Sequence, residues 1–190
     1  MRNTFLFLDL HTAGLVHYFE GDCLRFELYA EEVIVQAIAD LKPPDAFVLA
    51  SADLGRPRWV ETFADRFGAD LALIRKARGG SGTAVQSVIG DVAGKHVIVY
   101  DDMVRSSGSL IHAADAYHQG GALSVSAVVS HLAFAGSDAV KLIETGPIAK
   151  LIGTNTHPMS QSLDVSTAER IHVRDVSAIP AAAIKIILGR

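Results

Sequence analysis

The stretch VIVYDDMVRSSGSL, Val97 to Leu110, constrains the fold more than any other part of the chain. Val97, Ile98, Val99 and Tyr100 form an unbroken β-branched and aromatic run, the pattern of a parallel strand covered on both faces. Asp101 and Asp102 read as the end of that strand. Ser106, Ser107, Gly108 and Ser109 follow, and Leu110, Ile111, Ala113, Ala114 and Tyr117 then recur with helical spacing. Strand, acids and helix start in this order bring carboxylates and unpaired backbone N–H groups to the C-terminal edge of a sheet. Open α/β sheets bind their ligands at that edge.

A helix start suits a phosphate, with serine hydroxyls as further donors and Gly108 permitting close approach. Ionised Asp101 and Asp102 only accept hydrogen bonds, so they suit vicinal hydroxyls or the waters of a bound Mg²⁺. Acids beside a phosphate cradle read as ribose 5-phosphate recognition. A strand, an Asp/Ser turn and an ordinary helix cap would use the same residue types.

The remaining periodicity predicts strands near 4–9, 46–51, 70–74, 96–101, 123–130, 148–153 and 170–174. Helices are predicted near 29–41, 56–67, 107–119, 137–144 and 177–188. Strand and helix alternating in this way imply a doubly wound α/β fold, with a mostly parallel sheet flanked by helices. No linker, internal repeat or low-complexity stretch divides residues 1–190, which read as a single domain. Ala77 to Thr83 contains Gly79, Gly80, Ser81 and Gly82 and reads as a mobile loop between a strand and a β-hairpin, placed to close over a substrate.

Several blocks together resemble one family: type I phosphoribosyltransferase folds, and within them ribose-phosphate diphosphokinase, the synthetase of phosphoribosyl pyrophosphate. Asp9-Leu10-His11 is similar to that family's DLH segment, Ser51-Ala52-Asp53 to its SPD-type loop, and Lys76-Ala77-Arg78 to its catalytic loop. The run IGDVAGKHVIVYDDM leads into the ribose-phosphate loop, and VVSHLAFAG (128–136) and TNTHP (154–158) resemble later strand ends. The blocks occur in the order of the family's C-terminal half and cover nearly the whole chain.

The resemblance implies transfer of diphosphate from ATP to the C1 hydroxyl of ribose 5-phosphate. On this reading Lys76 and Arg78 are catalytic cations, stabilising charge at the reacting phosphorus and the leaving AMP. Asp101, Asp102, Arg105, Ser106, Ser107, Gly108 and Ser109 bind ribose 5-phosphate, while His11 and Asp53 contact Mg²⁺. From the residues alone, His11 equally suits a structural hydrogen bond and Asp53 an Asx-turn. Pro57 suits the first turn of the helix after Asp53.

Composition bounds the function class. A chain of 190 residues with 49% apolar residues can bury a sizeable core, and its single cysteine, Cys23, excludes an intramolecular disulfide. The expected compartment is therefore the cytoplasm. The apolar run Thr4 to Leu10 is too short for a membrane span. A net charge of −4 with no basic block argues against a nucleic-acid partner. Of the other histidines, His131 ends a strand and suits the ribose edge or a core or interface role equally, and it is left out of the site together with His17, His96, His112, His118, His157 and His172, whose spacing forms no metal triad. Trp59 and the phenylalanines read as core.

Departures from the family pattern are specific. Full-length members carry a preceding domain of related fold that supplies ATP contacts, whereas this chain begins just before the DLH block. Gly14 and Val16 stand where glutamines are usual, and Arg105 stands where many members have an acid or a small residue. Ala52, Leu54 and Arg56 alter the Asp53 loop. Two alternatives follow: a phosphoribosyltransferase consuming phosphoribosyl pyrophosphate, disfavoured because no hood segment selects a base, and a non-catalytic ribose-phosphate-binding homologue or fragment. A homo-oligomer is implied by the resemblance.

Overall fold

Runs of β-branched residues become the sheet that carries the site, and the helices between them cover it. The computed structural model describes residues 3–42, 46–53, 57–79, 82–134, 136–144, 146–162 and 169–189, by backbone alone at 57, 76–79, 82–86, 136, 140, 143, 144 and 162. In chain order the elements are β1 (Asn3–Leu8), β2 (Cys23–Leu28), α1 (Glu31–Leu41), β3 (Phe47–Ser51), α2 (Pro57–Phe67), β4 (Asp70–Gly79) and β5 (Gly82–Ile89). There follow β6 (His96–Val104), α3 (Ser107–Gln119), β7 (Ser124–Leu132), α4 (Gly136–Glu144), β8 (Leu151–Thr154), β9 (Ile171–Arg174) and α5 (Ala178–Ile187). Among the described residues no helix is long and apolar enough to cross a membrane.

The main sheet has the order β5-β4-β3-β6-β7-β8-β9, parallel throughout except for β5. From β3 the chain crosses by α2 to β4 on one side, while β6 lies on the other side of β3. The order therefore reverses between β3 and β6, and their C-terminal ends face a crevice. Two apolar clusters cover the two faces. Ile34 and Ile38 of α1 and Val60 and Phe63 of α2 pack with Leu49, Ile98 and Tyr100. Leu110, Ala113, Ala114 and Tyr117 of α3 and Leu142 of α4 pack with Val97, Val99 and Val125 on the opposite face. The doubly wound expectation is met.

Four local expectations need correction. β1 does not join the main sheet; it pairs in parallel with β2, a strand the periodicity missed, in a separate two-stranded sheet. On β2, Leu24 and Phe26 are each 39% exposed, so Phe26 is not core. β6 does not stop at the acids, because its ladder with β7 continues through Met103 opposite His131 and Val104 opposite Leu132. The expected loop at 77–83 is the hairpin itself: Ala77 pairs with Ala84, Arg78 with Thr83 and Gly79 with Gly82. Gly80 and Ser81 lie outside the described residues. α5 forms as predicted, and none of its residues is buried.

Candidate active site

β3 ends at Ser51, opposite Tyr100, whereas β6 continues through Asp101 and Asp102. This overhang removes β3 as a neighbour on one side of the two acids and opens a cleft of about 620 Å³. Asp53, Asp101, Asp102, Arg105, Ser106, Ser109 and His11 are among its lining residues. Strand alternation puts Asp101 on the face carrying Val97 and Val99, toward α3, and Asp102 on the face carrying Ile98 and Tyr100. The cleft's floor is braced from below, since the buried Tyr117 hydroxyl donates to the carbonyl of Ser51 at 2.7 Å. The Ser51 hydroxyl in turn donates to the carbonyl of Asp53.

The acids differ in their surroundings. Burial, with the nearby charges of Asp102 and Asp53 and a hydrogen bond to Asp102, pushes Asp101 up to about 7. Asp102 is 4% exposed, and its Oδ2 lies 2.7 Å from His11 Nδ1. A carboxylate oxygen accepts, so Nδ1 carries a proton, and in the neutral ring Nε2 then keeps a lone pair. His11 thus reaches the main sheet's ligand edge although β1 is not part of that sheet. Asp9 makes this possible: at φ 47° it adopts the left-handed region uncommon for a non-glycine residue, and the chain turns from β1 toward the cleft.

The phosphate cradle is only partly as predicted. Ser106 precedes α3 in extended conformation without a side-chain capping bond, and both it and Ser109 line the cleft. Ser107 does not line it. Its side chain is buried, and its backbone N–H (3.1 Å) and hydroxyl (2.7 Å) both donate to Asp138 Oδ1 of α4. These two bonds hold the Asp138 carboxyl below the usual carboxylate range. A long-range acid therefore already takes two of the donors that the sequence assigned to a ligand. The remaining first-turn N–H groups belong to Gly108 and Ser109. Arg105 is exposed at the rim, where it also borders a second cavity of about 500 Å³ lined by Leu8, Leu10, Leu15, Met103 and His131.

Lys76 and Arg78 lie on β4, opposite Val85 and Thr83 of β5, just past a register shift between Arg75 and Lys76. Their side chains are outside the described atoms. Sequence reasoning set aside His131 and missed the part played by Asp138; each contacts the site's framework across long sequence separations, which leaves no local signal.

Among the described residues no three His, Cys, Asp or Glu side chains form a cage for a metal ion. The donor set nevertheless fits Mg²⁺. Asp53, Asp101 and Asp102 repel one another around the cleft, and Mg²⁺ is usually held by one or two carboxylates, waters and substrate phosphates rather than by an all-protein cage.

A family model described as phosphoribosyl synthetase-associated domain matches residues 82–190. The ribose-phosphate pyrophosphokinase of Wolinella succinogenes is 32% identical over 179 residues, 94% of this chain and 55% of that protein. Ribose-phosphate pyrophosphokinase 2 of Saccharomyces cerevisiae is 31% identical over 179 residues, 94% of this chain and 54% of that protein. The crystal structure of phosphoribosylpyrophosphate synthetase from Mycobacterium smegmatis superposes with a TM-score of 0.84 at 26% identity, covering 98% of this chain and 59% of that one. The chain spans about half the length of the curated relatives it matches.

Proposed function

The chain belongs to the phosphoribosyl synthetase-associated family, and on that premise we propose that it is a ribose-phosphate diphosphokinase converting ribose 5-phosphate and ATP to phosphoribosyl pyrophosphate and AMP. The observation that carries the reading is the cleft at the β3/β6 switch point, where two acids on one strand end face a helix start and a histidine. A phosphoribosyltransferase consuming phosphoribosyl pyrophosphate draws no comparable support, because the two curated relatives matched over 94% of this chain carry the pyrophosphokinase name.

The chemistry follows from the residues. Asp101 and Asp102 accept hydrogen bonds from the ribose hydroxyls and fix the ring, and the N–H groups at the start of α3, with Ser106, Ser109 and Arg105, take the 5-phosphate. The C1 hydroxyl oxygen attacks the β-phosphorus of ATP and loses its proton to solvent, the bond from that phosphorus to the oxygen bridging it to the α-phosphorus breaks, and AMP leaves with that oxygen. Lys76 and Arg78 stabilise the negative charge that builds up on the transferring group, Arg by a fork of N–H donors and Lys as a movable point charge. Asp53 and the Nε2 of His11 would hold Mg²⁺, directly or through water. The ion supplies charge neutralisation between the phosphates when bound. The reading extends to a cytoplasmic homo-oligomer without a nucleic-acid or membrane partner.

The test is to incubate the purified chain with ribose 5-phosphate, ATP and Mg²⁺ and measure AMP and phosphoribosyl pyrophosphate by mass spectrometry. Both products form, and Lys76→Ala or Arg78→Ala lowers turnover by roughly a hundredfold or more. Absence of product while ribose 5-phosphate still binds would sink the reading in favour of a ribose-phosphate half-site. The half-length match to the relatives is the observation behind that second reading.

A further inference from the structure

His131, near the end of β7, makes two ring hydrogen bonds. Nε2 lies 2.8 Å from the backbone carbonyl of Asp9, and Nδ1 lies 2.8 Å from Thr156 Oγ1. A carbonyl can only accept, so Nε2 must carry a proton; in the neutral ring Nδ1 then accepts from the Thr156 hydroxyl. Thr154 Oγ1 of the neighbouring strand β8 lies 3.0 Å from the same Thr156 hydroxyl, whose proton also has the Ser130 carbonyl within reach at 3.2 Å.

Asp9 is the joint between the two sheets. Its N–H donates to the carbonyl of Leu28 at 3.0 Å, and its carboxylate accepts the Ala30 N–H at 3.3 Å, so the residue is tied to the end of β2 and the start of α1. Its carbonyl is given to the main sheet, where the Nε2–H of His131 takes it. Two residues further along, His11 meets Asp102 at 2.7 Å. A left-handed turn at Asp9 is costly for a non-glycine residue and persists where surrounding bonds over-determine it.

We infer that His131 is a positioning residue: its Nε2–H holds the Asp9 carbonyl and thereby sets His11 against Asp102. The inference rests on the proposed function only for what His11 does next. His131 itself touches no substrate. The path from β7 to the cleft is His131 to Asp9 to His11 to Asp102, bringing together positions 122 and 91 residues apart.

Two side chains separate the ring's two bonds. Glutamine has the same number of bonds from Cβ to its amide nitrogen as histidine has to Nε2, so His131→Gln can keep the donor to Asp9. Asparagine ends where Nδ1 sits, so His131→Asn keeps the Thr156 contact and loses Asp9.

The readout is the tautomer of His11 in ¹H–¹⁵N long-range NMR spectra at pH 8.5, which requires no turnover. Wild type and His131→Gln show His11 protonated at Nδ1. His131→Asn shifts His11 toward the Nε2–H form that free histidine prefers in water. An unchanged His11 spectrum in His131→Asn overturns the inference, and so does equal loss in both variants, since the ring's shape rather than its donor would then matter. Should His131→Asn fail to fold, the wild-type spectrum still decides: His131 must be protonated at Nε2, and an Nδ1–H tautomer overturns the inference. If the chain also turns over, His131→Asn lowers kcat/KM roughly tenfold to a hundredfold, with His131→Gln close to wild type. Absence of product with the His11 response intact counts against the proposed function and leaves the positioning role standing.

Discussion

Replacing Asp101 by asparagine should stabilise the folded chain, and more so as the pH rises. The carboxyl group is pushed from 3.8 to about 7 in the fold. Between those values the folded state keeps a proton that the unfolded chain has released, so stability falls as pH climbs through the window. The shift spans roughly three units, and at about 1.4 kcal/mol per unit the ionised group costs the fold up to about 4 kcal/mol above pH 7. At pH 5, where folded Asp101 is still protonated, the cost is about 2 kcal/mol or less. Asparagine has the same shape, cannot ionise, and its amide can donate to Asp102 as the protonated acid does. Urea unfolding of wild type and Asp101→Asn at pH 5 and pH 8.5 reads the effect of this acid together with its charge coupling to Asp102 and Asp53. The variant should gain roughly 2–3 kcal/mol more at pH 8.5 than at pH 5 with an unchanged m-value. Equal differences at the two pH values, or a variant less stable than wild type at pH 8.5, would refute the argument that burial beside Asp102 and Asp53 makes this acid costly.

Other perturbations read other parts of the framework. A Cβ on Gly153 would stand 2.3 Å from Leu132 Cγ, so Gly153→Ala should destabilise by about 1–3 kcal/mol, and Leu132→Ala in the same chain should cost less than the two singles summed. Calorimetric or urea unfolding checks both. Tyr117→Phe removes the donor to the Ser51 carbonyl and should cost about 1–2 kcal/mol in the same assays, with weaker ribose 5-phosphate binding by calorimetry because β3 ends at the cleft. Asp138→Asn keeps an acceptor for Ser107 while removing a negative charge from the start of α3. Titration calorimetry should show roughly two- to fivefold tighter binding of ribose 5-phosphate, and unchanged affinity would mean that the phosphate does not sit at that helix start.

The sequence by itself determined what depends on neighbours along the chain. The run Val97 to Tyr100 reads as a covered strand, the apolar spacing after Ser106 reads as a helix, and strand alternating with helix led to the doubly wound sheet and to its ligand edge. Those signals are local: side-chain periodicity reports which face of an element is buried. It does not report what that face or edge is paired with, and the tertiary structure alone decided this. The first strand met β2 in a separate sheet, and β6 ran on past its acids because β7 continued the ladder beside it. Ser107 gave its donors to Asp138, 31 residues away. His11 reached Asp102 through a turn at Asp9 that His131 holds from the neighbouring strand β7. Each contact joins groups separated by tens of residues. Chain connectivity leaves their meeting open until the sheet has closed around them.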